Sequence, residues 1–264
     1  MFKNLRNLLK YRQLIQSLVA RDLKARYRGS VLGFFWSFIN PLLLLLIYSF
    51  VFSIVLPSRA SDLEPYALFM FCGILPWTWF SSSVLESSNV LISGGNLIKK
   101  VLFPAEVLPI VSVLANMVHF FLGLPIVAIF LVYYRHTPEL VDMLWFPVVV
   151  LVQLLFTLSL ALLVSALTVH FRDFKDILGN LMTFWFFATP IIYPMSMAVE
   201  QGGKFWLDLN PMTHLAVSYQ EILFYPGSFG HWRWLFALAA GSAVLFLIGY
   251  FVFDRLRDSF AEEV

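Results

Sequence analysis

The sequence predicts an all-α, polytopic membrane protein with six transmembrane helices and an amphipathic helix ahead of the first. Three observations carry this. The 264 residues are 60% hydrophobic and 13% charged, with a mean hydropathy of +0.80, whereas soluble domains run near half apolar and a quarter charged. Six apolar segments each approach the roughly 20 residues a helix needs to cross the hydrocarbon core. The basic residues fall mostly on one side of those segments. The net charge of +2 is small, and its placement is more informative than its size. The single cysteine, Cys72, lies in an apolar run, which excludes disulfides and Cys-based metal sites within one chain. No cleavable signal peptide is expected, because the first long apolar run begins near Leu32 behind a segment too long and too charged for an n-region.

The N-terminal element comes first. On a helix, Lys3, Arg6, Lys10, Gln13, Ser17, Arg21, Lys24 and Arg28 follow steps of three or four residues and form one polar, mainly basic stripe. Leu5, Leu8, Leu9, Ile15, Val19 and Leu23 lie on other faces. The pattern predicts a helix in the cytoplasmic interface, apolar side in lipid and basic side toward headgroups or a cytosolic partner. Charges that only set topology and touch anionic lipid make the same stripe.

The stretch from Arg21 to Pro41, RDLKARYRGSVLGFFWSFINP, then runs from basic to apolar without a linker. Lys and Arg beside a first span stay in the cytoplasm, so the chain crosses outward from here. The predicted spans are Gly33 to Leu56, Tyr66 to Ile92, Val107 to Tyr133, Leu144 to Val169, Leu178 to Val199 and Trp234 to Phe253. Pro190 and Pro194 interrupt the outer half of the fifth, which makes it a candidate for a broken or re-entrant segment.

This arrangement places 14 Lys and Arg residues inside: Lys3, Arg6, Lys10, Arg12, Arg21, Lys24, Arg26, Arg28, Lys99, Lys100, Arg172, Lys175, Arg255 and Arg257. Four lie outside: Arg59, Arg135, Lys204 and Arg233. Both termini are therefore expected in the cytoplasm, in a cell inner (cytoplasmic) membrane. Trp77, Trp79, Trp145, Trp206, Trp232 and Trp234 fall mostly near predicted outer ends, as an aromatic belt does. The chain reads as one transmembrane domain over 1–264, with an interface helix at 1–32, spans within 33–253, an inner loop at 94–105, an outer region at 195–233 and a tail at 254–264.

The inner loop between the second and third spans reads SGGNLIKKVLFPAE. Gly94 and Gly95 stop one helix and Pro104 limits the next, leaving about two turns from Asn96 to Phe103. A short helix with Leu97, Ile98, Val101, Leu102 and Phe103 beside Lys99 and Lys100 suits a contact that passes force from a soluble subunit to the two spans it joins. Dipping into the membrane surface explains the same residues. The loop His170 to Asp176 is a smaller candidate of the same kind. Outside, the segment His214 to Phe224 is amphipathic and reads as a gate over a pathway or as a plain surface helix.

Ionisable residues within spans are functional candidates. Glu86, near the inner end of the second span, reads as snorkelling or as one half of an ion pair with a basic residue of the N-terminal segment, ahead of a substrate or proton site. His119 reads as a helix-to-helix hydrogen bond, since no second ligand stands at metal spacing around it. Chemistry is otherwise mostly absent. There is no GxxxxGK[ST] phosphate loop, so ATP binding of that kind belongs to another chain. HExxH and GxSxG are missing too. Asp173 and Asp176 in RDFKD form the weak pattern of a Mg²⁺-dependent membrane transferase, or more plainly a solvated, ion-paired loop. No metal site and no nucleic-acid partner are expected.

RDLKARYRGSVLGFFWSFINPLL, IKKVLFPAEVLPI, HFRDFKDI, ATPIIYPMS and LNPMTHL, in this order and spacing, resemble the permease subunit of ABC-2 type polysaccharide exporters, the group of the O-antigen, capsular polysaccharide and teichoic acid exporters. The resemblance covers nearly the whole chain. It implies a homodimer of six-helix subunits with the ABC-2 permease fold, each docked on a separate ATP-binding cassette subunit that carries the ATP and Mg²⁺, so no cofactor sits on this chain. It implies ATPase contacts along Lys3 to Arg28 and through Asn96, Leu97, Ile98, Lys99, Lys100, Val101, Leu102 and Phe103, and outer gate helices within Gly202 to Phe229. It implies an aromatic-lined channel for a polyprenyl-pyrophosphate-linked glycan, because sugar C–H faces stack on rings. Tyr48, Trp77, Trp79, Trp185 and Tyr193 are the candidate liners. Arg21, Lys24, Arg26 and Arg28 form an inner rim able to attract an anionic head, or lipid headgroups alone. A drug or small-lipid exporter of the same superfamily is the alternative, and it would have a closed apolar pocket instead of a long channel.

Overall fold

The computed structural model describes residues 11–51, 65–100, 104–171 and 173–263, and among these the chain is helical with no strand. The helices are α1 Arg12–Arg26, α2 Trp36–Phe50, α3 Tyr66–Ser93, α4 Gly95–Lys100, α5 Val107–Tyr133, α6 Phe146–His170, α7 Phe174–Phe187, α8 Met195–Glu200, α9 Lys204–Leu209, α10 Pro211–Leu223, α11 Trp232–Leu256 and α12 Phe260–Glu263. Short 3₁₀ turns at Gly33–Phe35, Asp142–Trp145 and Arg257–Ser259 lead into α2, α6 and α12.

Four helical segments are long and apolar enough to cross a membrane: Tyr66–Ser93, Val107–Tyr133, Asp142–His170 and Trp232–Leu256. Among the described residues, the other two predicted spans are represented by shorter helices. α2 has 15 residues and α7 has 14, about 21–23 Å of helix at 1.5 Å per residue, short of the roughly 30 Å hydrocarbon core. The end of the first predicted span, and Arg59, lie outside the described residues. The fifth predicted span is two helices: α7 stops at Phe187, the chain turns through Pro190 and Pro194, and α8 starts at Met195.

That break is held together by side chains. Asn210 donates from Nδ2 to the Ala188 carbonyl and to Thr189 Oγ1, both at 3.1 Å. Its Oδ1 accepts from Trp185 Nε1 at 2.8 Å and caps α10 through the Met212 N–H at 3.0 Å. Gln220 donates to the Pro190 carbonyl at 3.0 Å, and the Tyr66 hydroxyl donates to the Ile192 carbonyl. Irregular backbone at membrane depth needs such internal partners, because lipid offers none. The Asn-Pro pair at the start of α10 is a strong helix-start signal, an N-cap followed by a proline that needs no donor.

α3 is the centre of the bundle, packed against α2, α5, α6, α7 and α10. Its approach to α5 depends on Gly123, where a Cβ would stand 2.4 Å from Leu75 Cδ1. α11 lies outermost and packs on α6, brought close by small residues as membrane helices are. A Cβ on Gly249 would be 2.8 Å from the Ser159 carbonyl oxygen, and Ser159 Oγ donates to the Ser242 carbonyl at 3.1 Å. α10 is enclosed on nearly every side, Leu215, Ser218 and Tyr219 included. The segment expected to lie in the outer interface is therefore wedged into the protein, and α9, with Phe205, Trp206 and Leu209 exposed, is the more peripheral part of that region.

α1 is the described part of the predicted interface helix; Lys3, Arg6 and Lys10 lie outside it. Tyr11, Leu14, Ile15, Leu18 and Val19 rest on Val107 and Val111 at the start of α5. Of the apolar side expected in lipid, Ile15 and Val19 are half-buried against the valine-rich start of α5, which supplies apolar surface to cover, while Leu5, Leu8 and Leu9 lie outside the described residues.

Candidate functional site

Where α1, α2, α3 and α5 converge, they leave a cleft of about 290 Å³, walled by Trp36, Leu44, Phe71, Ile74 and Trp79 on its apolar side and by Arg26, Glu86, Asn116 and His119 on its polar side. Arg26 is the last residue of α1. Its guanidinium reaches the Glu86 carboxylate at 2.6 Å and Asp22, one turn back on α1, at 2.9 Å. Asn116, on α5, completes a three-helix knot: its Nδ2 donates to Glu86 at 2.7 Å while its Oδ1 accepts from Arg26 at 3.0 Å. Burial works against the Arg26 charge, but Glu86 and then Asp22 outweigh it and hold the guanidinium above its ordinary value.

The polypeptide between α1 and α2 is tied down beside this knot. Tyr27 Oη lies 2.6 Å from Ser37 Oγ and 3.3 Å from His119 Nδ1. Trp36 Nε1 donates to Ser30 Oγ at 3.0 Å. Gly29 and Gly33, with φ of +83° and +51°, make the turns that set α2 beneath α1, in a region of backbone space that L side chains rarely enter.

The inner-rim residues thus divide. Arg26 is paired with Glu86 and Asp22 and bonded to Asn116. Arg21, Lys24 and Arg28 are exposed. Glu86 has its ion pair, and Arg26 is the partner among the described residues. Asn116 went unremarked in the sequence, although a lone amide in the middle of an apolar span was the available signal.

The five aromatic candidates do not share one wall. Trp77 and Trp79 are two positions apart on a helix, close to opposite sides of it. Trp79 is 2% exposed, donates to the Val113 carbonyl at 3.2 Å and stacks near Phe120 at the back of the cleft. Trp77, 7% exposed, faces Trp185 and Phe186. Both are buried within the chain. Tyr48, Trp185 and Tyr193 are half-buried, with Tyr193 Oη donating to the Phe187 carbonyl at 3.1 Å.

The inner loop forms α4, Gly95–Lys100, with Asn96 and Lys99 exposed and Leu97 half-buried. Val101, Leu102 and Phe103 lie outside the described residues, as do the side chains of Ile98 and Lys100. Asp173 and Asp176 are both exposed. Among the described residues no cluster of three His, Cys, Asp or Glu side chains is placed to hold a metal ion.

On the outer side, sequence reading missed a histidine pair. His214 Nε2 faces the Asp208 carbonyl at 2.9 Å and its Nδ1 faces His231 Nε2 at 3.0 Å, while its ring stacks on Trp234 at 4.4 Å. Glu221 accepts from the backbone N–H groups of Gly230 and His231 at 3.0 and 3.1 Å.

The ABC-2 type transporter family matches residues 13–224. The chain is 43% identical over 265 residues to the O-antigen export system permease protein RfbA of Myxococcus xanthus, covering 100% of each sequence. It is 32% identical over 250 residues to proteins of the same description from Klebsiella pneumoniae, covering 94% of each.

Proposed function

The chain belongs to the ABC-2 type transporter family, and from that premise we propose that it is the permease subunit of an ATP-driven exporter moving a lipid-linked, O-antigen-like polysaccharide outward across the cytoplasmic membrane. The observation that carries this is end-to-end similarity to a protein named an O-antigen export system permease. Homology confined to the spans would have fitted any branch of the family; here the match runs through the inner loops and the outer region alike.

In this reading six crossings form the membrane domain, with α2 continuing beyond Phe50 and α7 to α8 crossing as a broken segment. Two copies pair around a pathway, and half-buried Tyr48, Trp185 and Tyr193 are the aromatic side chains retained as its liners. A separate ATP-binding cassette subunit holds the ATP and Mg²⁺. It docks on α4 and drives the cycle. Closure of the two ATPase subunits displaces α4, which lies between α3 and α5 in the chain and moves their inner ends. The knot of Arg26, Glu86 and Asn116 makes α1 follow α3 and α5. The exposed Arg21, Lys24 and Arg28 draw the anionic head of the lipid carrier toward the inner opening, and membrane phospholipid headgroups compete there.

The cleft under α1 is open and carries a charged pair, which does not suit the closed apolar pocket of a drug exporter. A transferase built on Asp173 and Asp176 is not favoured, since the relatives named above are export permeases.

The test is purification in mild detergent followed by an ATP hydrolysis assay on what co-purifies. A stoichiometric ATP-binding subunit, lost when Asn96 to Phe103 is replaced by a Gly/Ser linker, is the expected result. A permease that purifies alone, from cells that still export their surface polysaccharide when its gene is deleted, would sink the proposal.

A further inference from the structure

At the cytoplasmic end the chain folds back under the bundle. The turn Arg257–Ser259 directs α12 inward, and Phe260 is 0% exposed. It sits in an apolar cluster separate from the main core, with Leu91 of α3, Leu108 of α5, Ala166 and Val169 of α6, and Phe253 of α11. Its ring stands edge-on to Phe253 at 5.2 Å. The inner ends of four long helices therefore contribute to one apolar cluster with Phe260. The turn that leads into α12 is tied through Ser259. Ser259 Oγ donates to the Leu256 carbonyl at 2.7 Å and lies 3.0 Å from His170 Nε2. His170 is the last residue of α6.

The decisive relationship is lateral. α12 packs against α4 on one side and against α6 on the other. α4 is joined to α3 and α5 through the chain itself, whereas α6 is remote from it in sequence. α12 therefore stands beside both α4 and α6, and it is anchored by the ring of Phe260 in a close-packed apolar cluster that leaves little free volume to absorb a displacement.

We propose that residues 257–263 form a strut that carries movement of α4 to the inner end of α6, with Phe260 as its positioning residue. This rests on the reading of α4 as the ATPase contact. The strut makes α6, and the α11 packed along it, move with α3 and α5 in place of lagging behind them.

The test uses cells whose sole copy of the permease is a variant. Surface polysaccharide is measured on the cells, and ATP hydrolysis on the permease–ATPase complex purified from them. Phe260→Ala is expected to lower surface polysaccharide about tenfold with hydrolysis per complex within about twofold, a loss in the usual range of coupling between sites. Phe260→Leu, which refills most of the space, is expected to restore most of the export. Ser259→Ala removes the tie to His170 without opening a cavity, and should raise ATP consumed per glycan exported several-fold; it decides the matter if Phe260→Ala fails to accumulate. Parallel loss of export, hydrolysis and yield in Phe260→Ala with Ser259→Ala unchanged overturns the strut, as does unchanged export in both. A Gly/Ser replacement of Asn96 to Lys100 that leaves hydrolysis and ATPase recovery intact overturns the reading of α4, and the strut with it.

Discussion

Arg26 and Glu86, sixty positions apart, meet at 2.6 Å with Asn116 bonded to both. The contact joins α1 to two of the membrane helices, so α1 cannot shift along the membrane surface without breaking a charge-assisted network. A helix attached only by its basic stripe would have no such constraint.

The pair can be weighed with a double-mutant cycle of Arg26→Met and Glu86→Gln. The side chains are 25% and 38% exposed, so the direct coupling is expected at about 0.5–1 kcal/mol in thermal unfolding of the detergent-purified protein. Each single change should cost more than that, because it strands the partner and Asn116 together. A coupling of zero would mean that α1 is held by its contacts to Val107 and Val111 alone.

Gly249 offers a steric test of the α6–α11 packing. Gly249→Val should destabilise the protein by about 1–3 kcal/mol, since the new Cβ meets backbone that cannot turn aside. Gly241, on the same helix with open space at its Cβ position, is the control, and Gly241→Ala should leave the melting temperature unchanged or slightly raised. Equal behaviour of the two variants would contradict the close approach.

Asn210 makes four hydrogen bonds, three to the broken segment and one that caps α10. Asn210→Ala is expected to cost about 1–3 kcal/mol, from the lost cap and the carbonyls left unpaired. Asn210→Asp keeps the acceptor for Trp185 and Met212 but loses both donated bonds, and should fall between. Limited proteolysis between Ala188 and Pro194 reports the opening, which is expected to rise in the same order.

A pH effect is expected at the outer histidine pair. Burial holds the His214 imidazole below its ordinary value of 6.5, against the opposing pull of the Asp208 carbonyl, with His231 and Lys204 also disfavouring a second charge and the Asp208 carboxylate favouring it. Glu221 and Trp234 face the pair from α10 and α11. The folded state therefore binds fewer protons at His214 than the unfolded chain does. Its contribution to stability is complete above about pH 6.5 and declines as pH falls below that. The melting temperature should be level from pH 7 to 8 and drop between about pH 6.5 and 5, with the drop reduced in His214→Gln. An unchanged slope in that variant would assign the effect elsewhere.

Much of the molecule was legible in its residues. Apolar runs at Tyr66, Val107, Leu144 and Trp234 became long helices because a hydrocarbon environment leaves them no other way to satisfy their backbone. The proline pair at Pro190 and Pro194 announced the break, since each removes a donor from the helix. Glu86 declared itself as an acid needing a cation. Its choice of Arg26 was not written in the periodicity: the basic stripe carries Arg21, Lys24 and Arg28 and leaves Arg26 on another face, and only the placing of α1 against α5 brings that face to Glu86.

The sequence by itself determined the class of protein, its helices and its likeness to polysaccharide export permeases, because those follow from local hydrophobicity, proline and charge placement, and the order of motifs. Tertiary structure alone decided that α1 rests on α5, that Trp77 and Trp79 serve the interior, that α10 is wedged inside, and that Phe260 closes the inner end. Each of these depends on which apolar surface finds which. A hydropathy pattern says that a face must be covered and leaves open whether lipid or protein covers it; only the packed arrangement settles that choice.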